Sequence, residues 1–181
     1  METIKLKLTK LQNEIFRLMC IKSGEKLNLS DISRILKVSV TAVSKAIPIL
    51  EKQNLIKVER DKKMNLTLIA LERANKKAIQ FKRVENLKMI YEYKLSDYLE
   101  DEFAGATIIL FGSYSKGDDT INSDIDIAII GRKEKEINLK SFEEIFKRKI
   151  IINFYPTFND IHKHLKENIL NGIILSGGIE L

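Results

Sequence analysis

Cysteine is almost missing from this 181-residue chain. Cys20 alone excludes an internal disulfide and a zinc site built from several cysteines. With no histidine beside it in the motif order, it reads as a small helix residue and not a nucleophile. Long apolar runs are missing as well: the longest span only a few residues, as in Ile150-Ile151-Ile152, where a bilayer span needs about 18. The opening residues, Met1 to Lys7, hold no apolar stretch and no small-residue cleavage site, so no signal peptide and no membrane partner are expected, and the chain reads as cytoplasmic. The two histidines, His162 and His164, fall in one predicted helix, point to different faces and have no evident third ligand, which makes them surface residues.

Hydrophobic content of 44% is enough for a packed core and too much for a disordered chain. Charge is unevenly placed. Residues 1–96 carry 21 basic and 10 acidic side chains, a net of +11, and residues 97–181 carry 10 basic and 15 acidic, a net of −5, against +6 overall. A basic half joined to an acidic half argues for two domains with different partners.

In the basic half, Leu11, Ile15, Leu18 and Met19 recur at helical spacing, which predicts a helix over residues 9–22, broken by Ser23-Gly24-Glu25-Lys26. Ser30 is the expected cap of a short helix carrying Ile32, Ile35 and Leu36. Lys37-Val38-Ser39 makes a tight connection, and Ser39 caps a third helix carrying Val43, Ile47 and Leu50, which stops at Gln53-Asn54 with Asn54 in the left-handed conformation. Leu55–Glu59 and Met64–Leu68 then alternate around the polar turn Arg60-Asp61-Lys62-Lys63, the pattern of a small hairpin. Helix, helix, tight turn, helix, hairpin over this stretch resembles a winged helix-turn-helix. That resemblance implies a third helix in the major groove of double-stranded DNA and a hairpin along the backbone. Thr41, Ala42, Ser44 and Lys45 then face outward toward bases or phosphates, and Arg60, Lys62 and Lys63 suit phosphate contacts. No arginine stands among the outward helix positions, so a bidentate guanine reader is missing there. Pro48, about two turns into this helix, is expected to kink it.

Glycine and proline are both missing from residues 69–100, where Leu71, Ala74, Ala78, Phe81, Leu87, Ile90, Leu95 and Leu99 keep a mostly helical spacing. One long helix or two abutting ones are expected, with Tyr91 and Tyr98 near one face as packing residues.

The acidic half carries the chemistry. Thr107–Phe111 is a continuous apolar run suited to a buried strand, leading into Gly112-Ser113-Tyr114-Ser115-Lys116-Gly117 and on to Ser123-Asp124-Ile125-Asp126 at the start of a second strand, Ile125–Ile130. Asp124 and Asp126, two apart on a strand, point to one face. Their mutual repulsion asks for a divalent cation, Mg²⁺ or Mn²⁺ in its place. Gly112 permits a sharp turn and close approach to a ligand, and Ser113 with the following N–H groups is placed to hold phosphate. A phosphate cradle facing a carboxylate-bound metal is the minimum kit for nucleotidyl transfer.

This arrangement resembles the signature of the polymerase-beta-like nucleotidyltransferase superfamily, in the compact form of the minimal nucleotidyltransferases. The resemblance implies a small mixed sheet flanked by helices, with a nucleoside triphosphate on Gly112 and Ser113 and Mg²⁺ on Asp124 and Asp126. Lys116 is either a phosphate ligand or a surface lysine. Such enzymes use a third carboxylate on a later strand. The next strand is Ile150–Tyr155, and the expected acid falls at Asn153, whose neutral amide cannot act as a base. Asp118, Asp119, Glu143 and Glu144 are the acids nearby, none of them on that strand. A helix over Leu139–Arg148 precedes the strand; a helix over Asp160–Leu170, a turn at Asn171-Gly172 and a last strand at Ile173–Leu175 follow it.

The expected architecture is therefore α+β. It comprises a winged helix-turn-helix over residues 1–68, a helical connector over 69–104 and a minimal nucleotidyltransferase domain over 105–181. The expected function is a DNA-binding transcriptional regulator, dimeric if its site is a palindrome, whose second domain binds Mg²⁺–nucleotide. The resemblance also implies an antitoxin-type transferase that modifies a partner toxin, or a catalytically inactive nucleotide sensor.

Overall fold

The computed structural model describes residues 8–61 and 66–179, and the chain divides into two compact units, Met1–Ala78 and Ile79–Leu181. The first runs α1 (Lys10–Ile21), β1 (Leu27–Asn28), α2 (Leu29–Leu36), α3 (Val40–Lys52), β2 (Ile56–Asp61) and β3 (Leu66–Leu71). Thr9 and Gln12 cap α1 reciprocally. Asn28, and not Ser30, caps α2: its side-chain oxygen accepts the Asp31 N–H at 2.9 Å while the Asp31 carboxylate accepts the Asn28 N–H at 3.3 Å. Two otherwise orphaned donors are satisfied at once, which a cap at Ser30 would not achieve.

Lys37 takes a left-handed conformation (φ 54°) to close α2, and Ser39 accepts the Ala42 N–H at 3.2 Å to open α3. α3 runs unbroken across Pro48. It ends as expected at Asn54 (φ 55°), where the Leu55 N–H donates to the Leu50 carbonyl at 3.1 Å. Ile15, Met19, Ile32, Val43, Ile47, Leu50 and Ile69 form the core. β2 and β3 make an antiparallel wing, with β1 on the far side of β3. β3 continues past Leu68 to Leu71, because Ile69 and Leu71 keep facing the core at period two. Lys62 and Lys63 lie outside the described residues.

The second unit holds most of α4 (Lys76–Glu92), then α5 (Leu95–Glu102), β4 (Thr107–Phe111), α6 (Gly112–Lys116), β5 (Ile125–Ile130), α7 (Lys140–Phe146), β6 (Ile150–Tyr155), a 3-10 turn at Phe158–Asp160, α8 (Lys163–Leu170) and β7 (Ile173–Ser176). α4 and α5 are separate helices, broken where Lys94 turns left-handed (φ 58°). The break undoes the seven-residue relation of the two tyrosines: Tyr91 is exposed, and the Tyr98 ring lies 5.1 Å from that of Phe142. α8 begins only at Lys163, just after His162, so the tail helix is shorter than the expected Asp160–Leu170.

The four-stranded sheet has the order β6-β5-β4-β7. β5 and β6 are parallel, joined through α7, and the other pairs are antiparallel. This is the mixed sheet flanked by helices that the motif implied, and the fold class is α+β. On one face Ile109, Phe111, Ala128 and Ile130 pack with Ile161 and Ile169. Asp126 shares a strand face with Ala128 and Ile130, so it stands at the end of this apolar layer. Among the described residues, no helix is long and apolar enough to cross a membrane.

Candidate functional site

The site is built where β4 gives way to α6. Phe111 pairs with Asp126 across the ladder, which sets Gly112 directly against the Asp126 carboxylate. Gly112 has φ +73°, and a Cβ there would collide with that carboxylate. Glycine is thus required for backbone conformation and for space. Asp126 is half-buried, and Asp124, just before β5, is exposed. Burial, and secondly the charge of Asp124, hold the Asp126 carboxyl above the ordinary carboxylate range.

The sign of this shift gives a prediction. A folded-state value above the unfolded one means that the ionised form costs stability at neutral pH, a cost that fades as pH falls through the raised value toward the ordinary 3.8. Asp126→Asn is expected to raise the melting temperature of the cation-free chain at pH 7, and the gain should shrink in acid. Thermal melts in chelator at neutral and acid pH check it; a gain that grew in acid would contradict the burial argument.

The parallel register corrects the placement of the missing acid. Asp126 is partnered by Ile151, and Asn153 by Ala128. Residues paired in a parallel ladder share a face, so the neighbour of the carboxylates is Ile151, 40% exposed, and Asn153 lies two pairs further along. Lys149 flanks Asp124, since its carbonyl accepts the Ile125 N–H at 2.8 Å. The other acids do not fill the gap. Glu143 accepts the Ile150 N–H at 3.1 Å and so holds the start of β6. Asp119 is fully buried in an ionic cluster. Asp118 and Glu144 are exposed. Among the described residues, no group of three His, Cys, Asp or Glu side chains could hold a metal ion. Two carboxylates remain, a donor set that suits a Mg²⁺ completed by water and a ligand's phosphate oxygens.

Ser113 is half-buried at the start of α6, and its carbonyl accepts the Asp118 N–H at 3.1 Å, which folds the loop back on itself. Lys116 is exposed and donates to the Asn168 side chain on α8 at 2.9 Å.

Four residues around this loop escaped the sequence reading as site residues: Lys82 and Asn86 on α4, Asp119 in the loop, and Arg148 after α7. Lys82 and Asp119 form a buried ion pair. Arg148 Nη2 donates to Asp119 Oδ2 at 2.7 Å, and Asn86 Nδ2 to Asp119 Oδ1 at 2.7 Å. A signal was present: Ala78, Lys82, Asn86 and Ile90 follow one another at intervals of four, placing two polar residues on the buried stripe of α4.

In the first unit, α3 presents Thr41, Ser44 and Lys45 to solvent, with Ala42 half-buried, while Val43, Ala46, Ile47 and Leu50 face inward. Arg60 is exposed on β2. On the same strand Glu59 binds Lys26 at 2.5 Å and Lys57 at 3.0 Å. Hydrogen bonds from these two lysines, Lys26 first, hold the Glu59 carboxyl below its ordinary range.

Residues 92–176 match the family model of the nucleotidyltransferase domain, and residues 12–63 match that of the MarR family. Similar solved structures include the adhesin competence repressor AdcR of Streptococcus pyogenes, at 24% identity over 54% of this chain and 69% of that one, with a TM-score of 0.42. ZitR of Lactococcus lactis, as a C30S mutant in complex with DNA, is 30% identical over 56% of this chain and 66% of that one, with a TM-score of 0.40. Reduced HlyU of Vibrio cholerae is 13% identical over 42% of this chain and 73% of that one, with a TM-score of 0.34. No curated protein matches the chain.

Proposed function

We propose, from a chain that joins a MarR-like winged helix to a nucleotidyltransferase domain, that it is a DNA-binding transcriptional regulator whose second domain binds a Mg²⁺–nucleoside triphosphate without transferring it. Asp124 and Asp126 hold the metal, and Gly112 and Ser113 receive the phosphates. The observation that carries the reading is Ile151 beside Asp126. The turn and the carboxylate pair needed to bind are present, and the position that would deprotonate an acceptor hydroxyl is a hydrocarbon, which cannot serve as a base. An antitoxin-type transferase would need that base from elsewhere.

Two measurements test it. Calorimetry with Mg²⁺ and each nucleoside triphosphate is expected to detect binding that falls by at least about tenfold (roughly 1.4 kcal/mol) in Asp126→Ala, while α-labelled nucleotide leaves no label on protein or small-molecule acceptors. Heat equal in the wild type and Asp126→Ala, or label transfer that needs Asp124, would overturn the respective half.

For DNA, Thr41, Ser44 and Lys45 enter the groove and Arg60, Lys62 and Lys63 take phosphates. Neutralising about four phosphates gives a slope of roughly −3.6 in log affinity against log salt, and Lys45→Ala and Arg60→Ala should each flatten it by about 1. Affinity indifferent to salt would rule this surface out.

A further inference from the structure

We infer that Asp119 is a positioning residue for the nucleotide site, holding the Gly-Ser to Asp-x-Asp loop in its receiving shape before any metal arrives; the inference rests on the site reading above. The loop from Gly117 to Asp124 contains no strand or helix, yet it must deliver Asp124 next to Asp126, against the repulsion of two like charges. Its internal support includes the Asp118 N–H donating to the Ser113 carbonyl at 3.1 Å, the Thr120 N–H to Ser123 Oγ at 3.0 Å, and the Ser123 N–H to the Thr120 carbonyl at 3.0 Å.

A further hold comes from outside the motif. From α4, Lys82 pairs with Asp119, and Asn86 Nδ2 donates both to Asp119 Oδ1 at 2.7 Å and to the Tyr114 carbonyl at 2.9 Å. From the turn before β6, Arg148 Nη2 donates to Asp119 Oδ2 at 2.7 Å and Nη1 to the Thr120 carbonyl at 2.5 Å. Both cations also lie over the Tyr114 ring, at 5.9 Å for Lys82 and 5.7 Å for Arg148. Gly117 closes the contact: a Cβ there would stand 2.6 Å from the Ile79 carbonyl, so the loop lies flush on the α4 backbone.

Asp119 is where these ties converge. It is fully buried with Lys82, while Asn86 and Arg148 are 3% and 6% exposed. An ion cluster so dry is a poor source of net stability, because desolvation offsets the Coulomb attraction. Its geometric effect is the larger one. One carboxylate fixes α4, the turn before β6 and the loop to each other, and so fixes Ser113 at one end and Asp124 at the other. Order supplied by the protein is order the ligand need not impose on binding.

The test uses the full chain, with Mn²⁺–ATP as probe, manganese paramagnetic relaxation and calorimetry as readouts, and DNA affinity as the measure of an intact first unit. Asp119→Asn takes the carboxylate charge away from two buried cations. It is expected to weaken Mn²⁺–ATP by at least about tenfold (roughly 1.4 kcal/mol) with DNA affinity unchanged. Adding Lys82→Met removes the ammonium that paired with the lost charge, while the amide oxygen that Asp119→Asn introduces can still accept from Arg148, so the double variant should recover most of the affinity. Recovery is the decisive readout, because a residue that itself ligated the metal could not be rescued from α4. Arg148→Lys keeps the charge and loses the fork that spans Asp119 and Thr120; it serves if Asp119→Asn does not fold, with the same weakening expected. Wild-type affinity in Asp119→Asn or Arg148→Lys, or a double variant no better than the single, would overturn the inference while Asp126→Ala still reported on the site. No Mn²⁺–ATP binding by the wild type would instead overturn the site reading, and the inference with it.

Discussion

An Ile151→Asp chain is expected to bind Mn²⁺ at least about tenfold more tightly than the wild type, roughly 1.4 kcal/mol, while Asn153→Asp changes the affinity less than about twofold. Ile151 is the residue registered against Asp126 on the parallel partner strand, and at 40% exposure it leaves a charged side chain access to solvent. A carboxylate there would be the third on one face and complete an oxygen donor set. At Asn153 the carboxylate would stand beside Ala128, displaced along the strands by two residues, or about 6.6 Å at the usual rise. That is too far to share an ion bound between Asp124 and Asp126. Titration of the three proteins with Mn²⁺, followed by water-proton relaxation, decides it. A gain in Asn153→Asp with none in Ile151→Asp would mean that the ion sits elsewhere on the sheet.

The second large effect is expected at Gly112. Gly112→Ala should abolish measurable Mg²⁺–nucleotide binding and lower the melting temperature well below that of Gly131→Ala. Both glycines have positive φ, +73° and +87°, so both substitutions bear the left-handed strain of an L-residue, of the order of 1–2 kcal/mol. Only one bears more. A Cβ at Gly131 meets nothing within 4 Å, whereas at Gly112 it collides with the Asp126 carboxylate, so either Asp126 swings out of the metal position or the turn opens. Calorimetry and thermal melts on the pair separate strain from collision. Equal losses in both variants would show that the turn's conformation, and not its closeness to Asp126, is what matters.

Much of this was legible in the residues. Thr107–Phe111, Ile125–Ile130 and Ile150–Tyr155 are apolar runs bounded by turn residues, and the structure makes each a strand with the same ends. Gly112 was readable as a tight approach because nothing else in the run could make it. What could not be read was pairing across distance. The register of β5 against β6 passes through α7 and its flanking loops, and crossover length does not set register as a hairpin turn does. The polar residue of the strand, Asn153, therefore stands out in the sequence, while the ladder sets Ile151 against Asp126. The role of Asp119 was hidden for a related reason: it looks like one more acid in a polar turn, and its partners lie 37 residues before it, at Lys82, and 29 after it, at Arg148. Ser30 was displaced as a cap by Asn28, whose reciprocal bond with Asp31 depends on side-chain geometry.

The strand order has a kinetic side. In the first unit the principal pairing, β2 with β3, is a hairpin whose partners are near neighbours along the chain. In the second, β4 finds β5 early but gains its other neighbour, β7, only when Ile109 meets Ile174 across more than sixty residues. Closing so long a loop precedes any reward from the contact, and domains rich in such distant pairings fold more slowly. The wing of the first unit therefore forms through a local encounter, while β1 joins β3 there, Leu27 against Ile69, and β7 joins β4 in the second unit, only through distant ones.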